Sequence, residues 1–580
     1  MLKEEYNIKT VFVAINAKYS HTNIAVRYMQ KLAEDNGIDT TSFVEYTINQ
    51  RTPQLMSELY RLNVDCLIFS CYIWNIEIIT ELCMHLKMVS PNTKLVLAGP
   101  EVSYDSAEVL KKDEFIDGVI CGEGELVLLP LLNWIAGEGS VEDIPSFVYR
   151  QDGKIFANKH AESADLAILP FPYENLDEVM GRTLYFEASR GCPFSCGYCL
   201  SSIEKGVRFM PLQQVFKSMD KFIAANVRQV KFVDRTFNCN KEYALAIWHY
   251  LSEHDNGVTN FHFEIAGELL DEPTIAFLST VRKGLFQFEV GVQSTNPKTL
   301  DGITRKTNIS SLLAICQKLN EPANIHLHLD LIAGLPYEDI ASFANSFNDV
   351  FAAEPQQLQL GFLKVLKGSA IHSNSSEMGI VYSPKAPYEV LSTDWLPYSD
   401  LLSLKATEEM VELYYNSGRF ENILKALLPY FKTPYSFFQR LGEFYVKQGW
   451  HITNHTKEQT YSILKDFCTD QKITFTEHME YKCLLDICMH EKPSKLPNFA
   501  DKHFSADYRT EISRFYEDKE NVQRYLSSYI EENPKRLSKI CHIEVFPFDP
   551  FDDTEAVTAV LFDYSSRSLS GRAKCYKVKL

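Results

Sequence analysis

Three cysteines in the middle of the chain have a spacing that suits an iron–sulfur cluster. They follow the pattern C-x3-C-x2-C and are Cys192, Cys196 and Cys199. Three thiolates can hold three irons of a [4Fe–4S] cluster and leave the fourth iron open to another ligand. Gly191 and Gly197 allow the tight turns that such a loop needs. The alternatives are a zinc site, which favours four ligands and a C-x2-C pair at each end, and buried thiols without a cofactor.

This stretch resembles the cluster motif of the radical S-adenosylmethionine (SAM) enzymes, in which an aromatic residue precedes the last cysteine, as Tyr198 does here. The resemblance implies that SAM chelates the open iron through its amino and carboxylate groups. An electron from the cluster then cleaves SAM to methionine and a 5′-deoxyadenosyl radical. It also implies a contact between Tyr198 and these cofactors, and a reductant such as flavodoxin or ferredoxin.

Around the cysteines, between residues 178 and 378, apolar strands alternate with helical segments and predict a partial (β/α)6 barrel. We place its strands at 184–189, 229–234, 260–266, 286–293, 325–332 and 357–364. On five of these strands every second residue is polar or glycine, and these residues share one face. They are Tyr185, Glu187 and Ser189; His262 and Glu264; Gln287, Glu289, Gly291 and Gln293; His326, His328 and Asp330; and Gln357, Gln359 and Gly361. Burying polar groups without partners costs about 2–7 kcal/mol each, so the barrel interior is predicted to hold a polar ligand and water. The alternative is a polar network that satisfies itself.

The radical SAM resemblance also implies roles for individual residues. Those matched to cofactor contacts are Asp234, Glu289, Gln293 and Gly334, and those matched to catalytic or substrate-flanking positions are Glu264, Glu268 and Asp330. Arg190 and Arg305 are candidates for gripping the SAM carboxylate, because a guanidinium binds a carboxylate through two hydrogen bonds. A surface ion pair is the alternative for both and is favoured for Arg305. Cys239 is interpreted as a core thiol.

Residues 1–160 show a second βαβ alternation, with strands predicted at 10–15, 41–46, 66–71, 94–98 and 118–121. This pattern predicts a doubly wound, Rossmann-like sheet, which binds ligands at the carboxyl ends of its strands. No G-x-G-x-x-G motif supports a dinucleotide site. A hairpin at 145–159 and a linker at 161–177 are predicted to follow.

Set before a radical SAM core, this domain resembles the cobalamin-binding domain of one large branch of that superfamily. The resemblance is carried by S-x-Y-x-W at 70–74, AGPE at 98–101 and CGEGE at 121–125. It implies contacts to cobalamin from Ser70, Tyr72, Trp74, Gly99, Pro100, Glu101, Gly122 and Glu123. The D-x-H-x-x-G signature of base-off binders is absent, so no histidine ligand to cobalt is implied. His21, the one histidine in the corresponding loop, is interpreted as a helix-start residue with local hydrogen bonds.

Residues 385–580 read as a mainly helical domain that ends in short strands at 539–545 and 557–562. This pattern resembles an uncharacterised domain that follows some radical SAM proteins of the cobalamin type. Cys483 and Cys488 lie on one predicted helix, and we expect buried thiols there rather than an auxiliary cluster.

Length and composition narrow the classes of function. The chain has 580 residues, a net charge of −18 and 14 cysteines, which we interpret as thiols of a reducing compartment. The acidic balance disfavours nucleic acid as a partner. No apolar run is long enough for a membrane span, and the acidic N-terminus does not read as a signal peptide, so we expect a cytoplasmic protein.

We therefore predict a cobalamin-dependent radical SAM enzyme, with methyl transfer to a small molecule or peptide as its reaction. Two alternatives stay open. One is a radical SAM enzyme that modifies RNA or a cofactor and whose cobalamin domain is degenerate; the other is a non-catalytic sensor of cobalamin or SAM.

Overall fold

The computed structural model describes residues 8–203, 206–493, 496–497, 499, 504–567 and 571–580. The chain forms two compact units. The first comprises Met1–Phe343 and Gly361–Pro397, and the second Ala344–Leu360 and Tyr398–Leu580. The first unit therefore continues beyond the boundary predicted near residue 385.

The N-terminal part of the first unit is a seven-stranded sheet with helices between its parallel strands. Its strands are β1 (Thr10–Asn16), β2 (Thr41–Thr47), β3 (Cys66–Ser70), β4 (Lys94–Ala98), β5 (Gly118–Ile120), β6 (Phe147–Gln151) and β7 (Lys154–Ala157). Its helices are α1 (Ile24–Asp35), α2 (Thr52–Arg61), α3 (Ile76–Val89), α4 (Ser106–Lys112) and α5 (Leu128–Ile135). The strand order is β2-β1-β3-β4-β5-β6-β7, with β1–β5 parallel and the predicted hairpin β6–β7 antiparallel at the edge.

Strand β1 shows why this sheet forms. All seven of its residues are buried. Val11 and Val13 join one apolar cluster, whereas Phe12 and Ala14 join a different one, as the alternation of a strand requires. Both faces are thus covered by helices, which is typical of a parallel sheet and confirms the doubly wound prediction. The strand order reverses between β1 and β3, which is where such sheets bind ligands.

A six-stranded sheet comes next in the chain, and its strands are arranged in chain order. They are β8 (Leu184–Phe186), β11 (Gln229–Phe232), β12 (Asn260–Ile265), β13 (Phe286–Gln293), β14 (His326–Ala333) and β15 (Gln357–Phe362). A short ribbon, β9 (Ser189–Gly191) and β10 (Val207–Phe209), lies beside it. The helices are α6 (Leu212–Ala224), α7 (Lys241–Glu253), α8 (Glu272–Leu278), α9 (Pro297–Gly302), α10 (Ile309–Asn320), α11 (Ile340–Phe351) and α12 (Ala370–Asn374). A hairpin of β16 (Val381–Tyr382) and β17 (Val390–Ser392) follows.

The predicted alternation of polar and apolar residues is clearest on β13. Phe286, Phe288, Val290 and Val292 are buried, while the residues between them are partly exposed. The six β/α units therefore form a partial barrel with a polar inner face, as the sequence predicts.

The second unit is helical and ends in a three-stranded antiparallel sheet. Its helices are α13 (Tyr398–Met410, continued by a π-helix over Val411–Asn416), α14 (Glu421–Leu427), α15 (Pro434–Gln448), α16 (Lys457–Asp470), α17 (Glu477–His490), α18 (Arg509–Glu517), α19 (Lys519–Tyr525) and α20 (Pro534–Ile540). The sheet order is β18 (Cys541–Phe546), β19 (Thr558–Arg567) and β20 (Ala573–Val578). Two of these strands are predicted from the sequence, and β20 is not. Cys483 and Cys488 are fully buried on α17, as expected.

Across the described residues, no helix combines the length and the apolar character needed to cross a membrane.

We expect Gly99→Ala to destabilise the first unit strongly. Gly99 ends β4 with φ +107°, and a Cβ there would lie 2.6 Å from the carbonyl oxygen of Cys71. Gly37 is a matched control, because its φ is +77° but the space around it is open. Scanning calorimetry should show a loss of roughly 3 kcal/mol for Gly99→Ala against about 1–2 kcal/mol for Gly37→Ala. Equal losses would contradict the steric argument.

Candidate functional site

The three-cysteine loop is closed at its base by the ribbon of β9 and β10. Gly191 lies opposite Val207 in this ribbon and has φ +102°. A Cβ at Gly191 would lie 2.2 Å from the carbonyl oxygen of Gly206, so the ribbon requires glycine there. The single strand predicted over 184–189 is therefore wrong in its second half. It ends at Phe186, because the following residues leave the sheet to form the ribbon.

Backbone hydrogen bonds from distant segments hold the loop in place. The N–H of Gly197 donates to the carbonyl of Ile303 at 2.8 Å, and the N–H of Ile371 donates to the carbonyl of Gly197 at 2.9 Å. Within the loop, the hydroxyl of Ser202 donates to the carbonyl of Cys196 at 2.9 Å. The loop is thus fixed from two sides by parts of the chain that come more than a hundred residues later.

The thiols of Cys192, Cys196 and Cys199, predicted to bind iron, lie near one another, and all three are free of disulfides. Cys196 is 7% exposed, and burial raises the pKa of its thiol, while Arg305 opposes this shift. The Nη1 of Arg305 lies 3.8 Å from the Sγ of Cys196. Cys192 Sγ is 3.4 Å from the hydroxyl of Thr236. The guanidinium of Arg305 favours the thiolate of Cys196, the form that binds metal, although burial keeps the pKa of this thiol above its ordinary value.

The alternative favoured for Arg305, a surface ion pair, is wrong. Arg305 is partly buried, and its Nη2 donates to the carbonyl of Gly291. Burial lowers the pKa of Arg305, but neighbouring groups, the Tyr198 phenol first among them, raise it above its ordinary value. Gln293, at the end of β13, has φ +72°, a left-handed conformation that is uncommon outside glycine. A Cβ on Gly291 would lie 2.2 Å from the Nε2 of Gln293, so the glutamine side chain folds over the glycine.

Beside the cysteine loop, three side chains have buried polar atoms that make no hydrogen bond within the protein. These atoms are Nε of Arg305, Oε1 of Gln293 and Oε2 of Glu268. Such atoms cost about 1–3 kcal/mol each unless a ligand or water satisfies them. One is a donor with positive charge and two are acceptors, a set that matches a carboxylate together with ammonium or hydroxyl groups. The residues present therefore fit a cluster with SAM bound to it.

Deeper in the barrel, charged side chains pair with one another. Glu289 Oε2 lies 3.1 Å from both Lys231 Nζ and His262 Nε2, and Lys231 Nζ lies 3.8 Å from Glu264. Although burial opposes it, His262 and Lys231 hold the pKa of Glu289 well below its usual range. Lys231 was not among the residues singled out from the sequence. The alternation along β11 could have identified Lys231, because it places this residue on the face opposite the buried Val230 and Phe232.

The two predicted catalytic carboxyl groups, Glu264 and Asp330, lie in this network. Burial raises the pKa of Glu264 to about 6, against the opposing effect of Arg235. Asp330 Oδ1 lies 2.9 Å from His328 Nε2. Burial lowers the pKa of His328, but hydrogen bonding to Asp330 more than reverses this. A proton is therefore favoured between His328 and Asp330.

Asp234 is buried where β8 gives way to the ribbon that precedes the cysteines. It is 1% exposed and accepts hydrogen bonds from the N–H of Ala188 at 3.1 Å and from the hydroxyl of Ser189 at 2.5 Å. Burial raises its pKa to about 7. This carboxyl group fixes the chain where β8 gives way to the cysteine ribbon, so it positions the loop. A contact between Asp234 and a cofactor stays a prediction.

Arg190 binds carboxylates of the protein itself. It forms ion pairs with Glu187 at 2.7 Å, Glu125 at 2.9 Å and Glu123 at 3.1 Å. Glu123 also pairs with Arg208 and accepts from the N–H of Ala164. Glu123 thus ties the N-terminal domain to the cysteine ribbon, and its predicted contact with cobalamin stays untested.

Tyr72 and Trp74 lie at the reversal point of the N-terminal sheet. Their rings stack with centroids 4.3 Å apart and planes 7° apart, and Trp74 donates to the carbonyl of Ile15 at 3.3 Å. Trp74 is 42% exposed, and Ser70 hydrogen bonds to Tyr72. An exposed aromatic plate at the ligand-binding edge of a doubly wound sheet fits a large planar cofactor such as a corrin.

The remaining predicted cobalamin contacts differ in their surroundings. Pro100 and Gly122 are exposed, and the N–H of Gly122 donates to Ser103. Glu101 is buried, pairs with Lys367 at 3.3 Å and accepts from the hydroxyl of Tyr388. It therefore contacts the segment after the barrel.

Two other predicted positions also contact neighbouring elements. His21 Nδ1 lies 2.5 Å from the hydroxyl of Tyr185 on β8, so its hydrogen bond is not local as predicted. Gly334 has φ +87°, and a Cβ there would lie 2.6 Å from Val390. His21 thus joins the N-terminal domain to the barrel, and Gly334 packs under the closing hairpin.

The chain matches three families over separate segments. Residues 10–132 match the B12 binding domain, residues 186–350 the radical SAM superfamily, and residues 376–562 a protein family of unknown function, DUF4080. The chain thus carries a central segment that matches the radical SAM superfamily. It also carries an N-terminal segment that matches the B12 binding domain and a C-terminal segment that matches DUF4080.

Curated relatives match over part of their length. An uncharacterized methyltransferase, PH0819 of Pyrococcus horikoshii, is 23% identical over 43% of this chain and 56% of its own. The cobalamin-dependent radical SAM methyltransferase TokK of Streptomyces tokunonensis is 24% identical over 56% of this chain and 50% of its own. The chain thus spans about half the length of these relatives.

Among solved structures, the cobalamin-dependent SAM radical enzyme OxsB, with aqua-cobalamin and SAM bound, superposes with a TM-score of 0.58. It is 14% identical over 82% of this chain and 78% of its own. This likeness supports the fold described above.

Replacing Asp234 with asparagine should change how stability depends on pH. A carboxyl group whose folded pKa is raised to about 7 stabilises the fold while protonated, so this stability declines as pH rises from about 4 to about 7. Asparagine keeps an acceptor for Ala188 and does not titrate. Relative to wild type, the free energy of unfolding of Asp234→Asn should therefore rise by roughly 2–4 kcal/mol between pH 4 and pH 7, and the difference should stay constant at higher pH. Melting temperatures across this range test it, and a difference independent of pH would contradict it.

Proposed function

We propose that the chain is a cobalamin-dependent radical SAM methyltransferase acting on a small molecule or peptide. The observation that carries this proposal is the set of buried, unpaired polar atoms of Arg305, Gln293 and Glu268 beside the three-cysteine loop. A polar ligand at that point explains why the fold tolerates them.

The chain's own residues would hold the cofactors at distinct places. Cys192, Cys196 and Cys199 would bind the cluster, and Arg305 would bind the SAM carboxylate. Tyr72 and Trp74 would support the corrin. When bound, the cluster with SAM supplies a 5′-deoxyadenosyl radical, and cobalamin supplies a methyl group.

The barrel interior would position the substrate and exclude water. Lys231 and Glu289 form an ion pair in the lower wall. His262, whose pKa is lowered by burial, lies 3.1 Å from the same carboxylate. Glu264, whose pKa is raised to about 6, is suited to accept a proton near neutral pH. The pair of His328 and Asp330 provides a second proton-holding position next to it.

The N-terminal domain is held against the barrel by polar contacts that lie within the first unit. Arg190 pairs with Glu123 and Glu125, and His21 bonds to Tyr185. These contacts support an arrangement in which a cofactor on the N-terminal sheet serves a substrate in the barrel. A one-electron reductant, flavodoxin or ferredoxin, would complete the reaction, and the acidic balance of the chain disfavours RNA as the substrate.

Anaerobically reconstituted protein with a reductant and SAM should form 5′-deoxyadenosine, and Cys196→Ala should abolish it, because one iron loses its ligand. Liquid chromatography with mass spectrometry measures the nucleoside, and metal and corrin analysis measures the cofactors. Cys316→Ala is the matched control, since Cys316 is a buried thiol of α10. Iron-free or corrin-free protein would overturn the proposal.

Arg305→Gln should weaken SAM binding by roughly 100-fold, the loss expected for a charge-assisted carboxylate contact of about 3 kcal/mol. Equilibrium dialysis of the reconstituted variant, corrected for iron content, measures the affinity. Arg282→Gln is the control, because Arg282 pairs with Asp255 at 2.5 Å. Unchanged affinity in Arg305→Gln would remove Arg305 from the SAM site.

A further inference from the structure

A cysteine, a histidine and a glutamate meet inside the second unit, which contains none of the predicted cofactor-binding residues. Cys488 lies near the end of α17, and His542 and Glu544 lie on β18. One ligand atom from each of the three residues lies within 4.8 Å of those of the other two. The cysteine comes from a different element than the histidine and the glutamate, so tertiary folding brings this combination together.

The placement of the two polar residues on β18 is unusual for a strand under a helix. Cys541, Ile543 and Val545 alternate with them and pack into one apolar cluster, so His542 and Glu544 point to the opposite face. That face packs into the apolar cluster that contains Cys488 and Phe546. Apolar residues would be expected at both positions.

Glu544 is almost completely buried, with 3% of its side chain exposed. Its Oε2 lies 2.8 Å from His542 Nε2, and its Oε1 accepts from the hydroxyl of Ser505. The Ser505 hydroxyl in turn accepts from the N–H of Val545 at 2.7 Å. A carboxylate and an imidazole are therefore oriented next to a thiol by a supporting hydrogen bond, as metal ligands commonly are.

We propose that Cys488, His542 and Glu544 form a zinc-binding site in the second unit. Thiolate, imidazole and carboxylate are all ligands of Zn²⁺, and a tetrahedral ion would hold such atoms about 3.3–3.8 Å apart. The observed separations reach this range with small shifts. Three protein ligands leave a fourth position for water or for the Ser505 hydroxyl.

Burial distinguishes a metal site from a nucleophilic cysteine. Cys488 has no exposed surface, so a substrate does not reach its sulfur, whereas a small ion needs only a narrow path. His542, with 20% of its side chain exposed, provides that path. Zinc is favoured over iron(II), because nitrogen and sulfur ligands bind it more tightly.

Elemental analysis of the anaerobically purified full chain tests the proposal, with zinc and iron counted separately. We expect about one zinc per chain in wild type, little in Cys488→Ala and His542→Ala, and full retention in Cys483→Ala. Cys483 is the matched control, because it is an equally buried thiol on the same helix. His542 is partly exposed, so its variant should fold even where Cys488→Ala does not.

Zinc K-edge X-ray absorption of wild type gives a second measurement that needs no variant. It should show one sulfur at about 2.3 Å and nitrogen or oxygen at about 2.0–2.1 Å. Zinc-free wild type that takes up no added zinc, equal zinc in Cys488→Ala, or a spectrum without sulfur would each overturn the proposal. Rapid alkylation of Cys488 by iodoacetamide in wild type would do so as well, in favour of a nucleophile.

Discussion

One partly buried guanidinium joins distant parts of the first unit. Arg190 sits at the base of the cysteine loop and pairs with three carboxylates, one from its own strand region and two from the loop after β5. Removing one partner of a buried ion pair typically costs about 3–5 kcal/mol, because the others stay buried without compensation. Arg190, together with the Arg208–Glu123 pair, therefore couples the N-terminal sheet to the cysteine loop. Any shift of the domain against the barrel would disturb the place where the predicted cluster ligands begin.

The barrel interior has two levels with different electrostatics. In the lower level Lys231 and Glu289 form an ion pair, but the buried Nε2 of His262 beside them makes no hydrogen bond of good geometry. In the upper level, beside the cysteines, buried atoms of Gln293 and Arg305 have no partner among the described residues. Both levels thus contain unpaired polar atoms, and the polar ligand and water expected in the barrel stay a prediction.

Much of this arrangement follows from sequence patterns, and what does not has physical reasons. Strand alternation predicts the polar face of β13 and β14, because successive side chains of a strand point to opposite faces whatever packs against it. It does not show that Asp234 bonds to Ala188 and Ser189, since these bonds depend on how the chain leaves β8. Arg190 pairs with Glu125, 65 residues away, and Arg305 lies beside Cys196, 109 residues away, so no local pattern distinguishes a structural arginine from one that faces a ligand.

The anchoring of the cysteine loop has a consequence for how the protein is made. The carbonyl of Ile303 and the N–H of Ile371, which hold Gly197, are synthesised long after the cysteines themselves. At about 5–20 residues per second, the ribosome needs on the order of ten seconds or more to deliver them. The loop that would bind the cluster therefore has its full set of backbone anchors only after residue 371 has been synthesised.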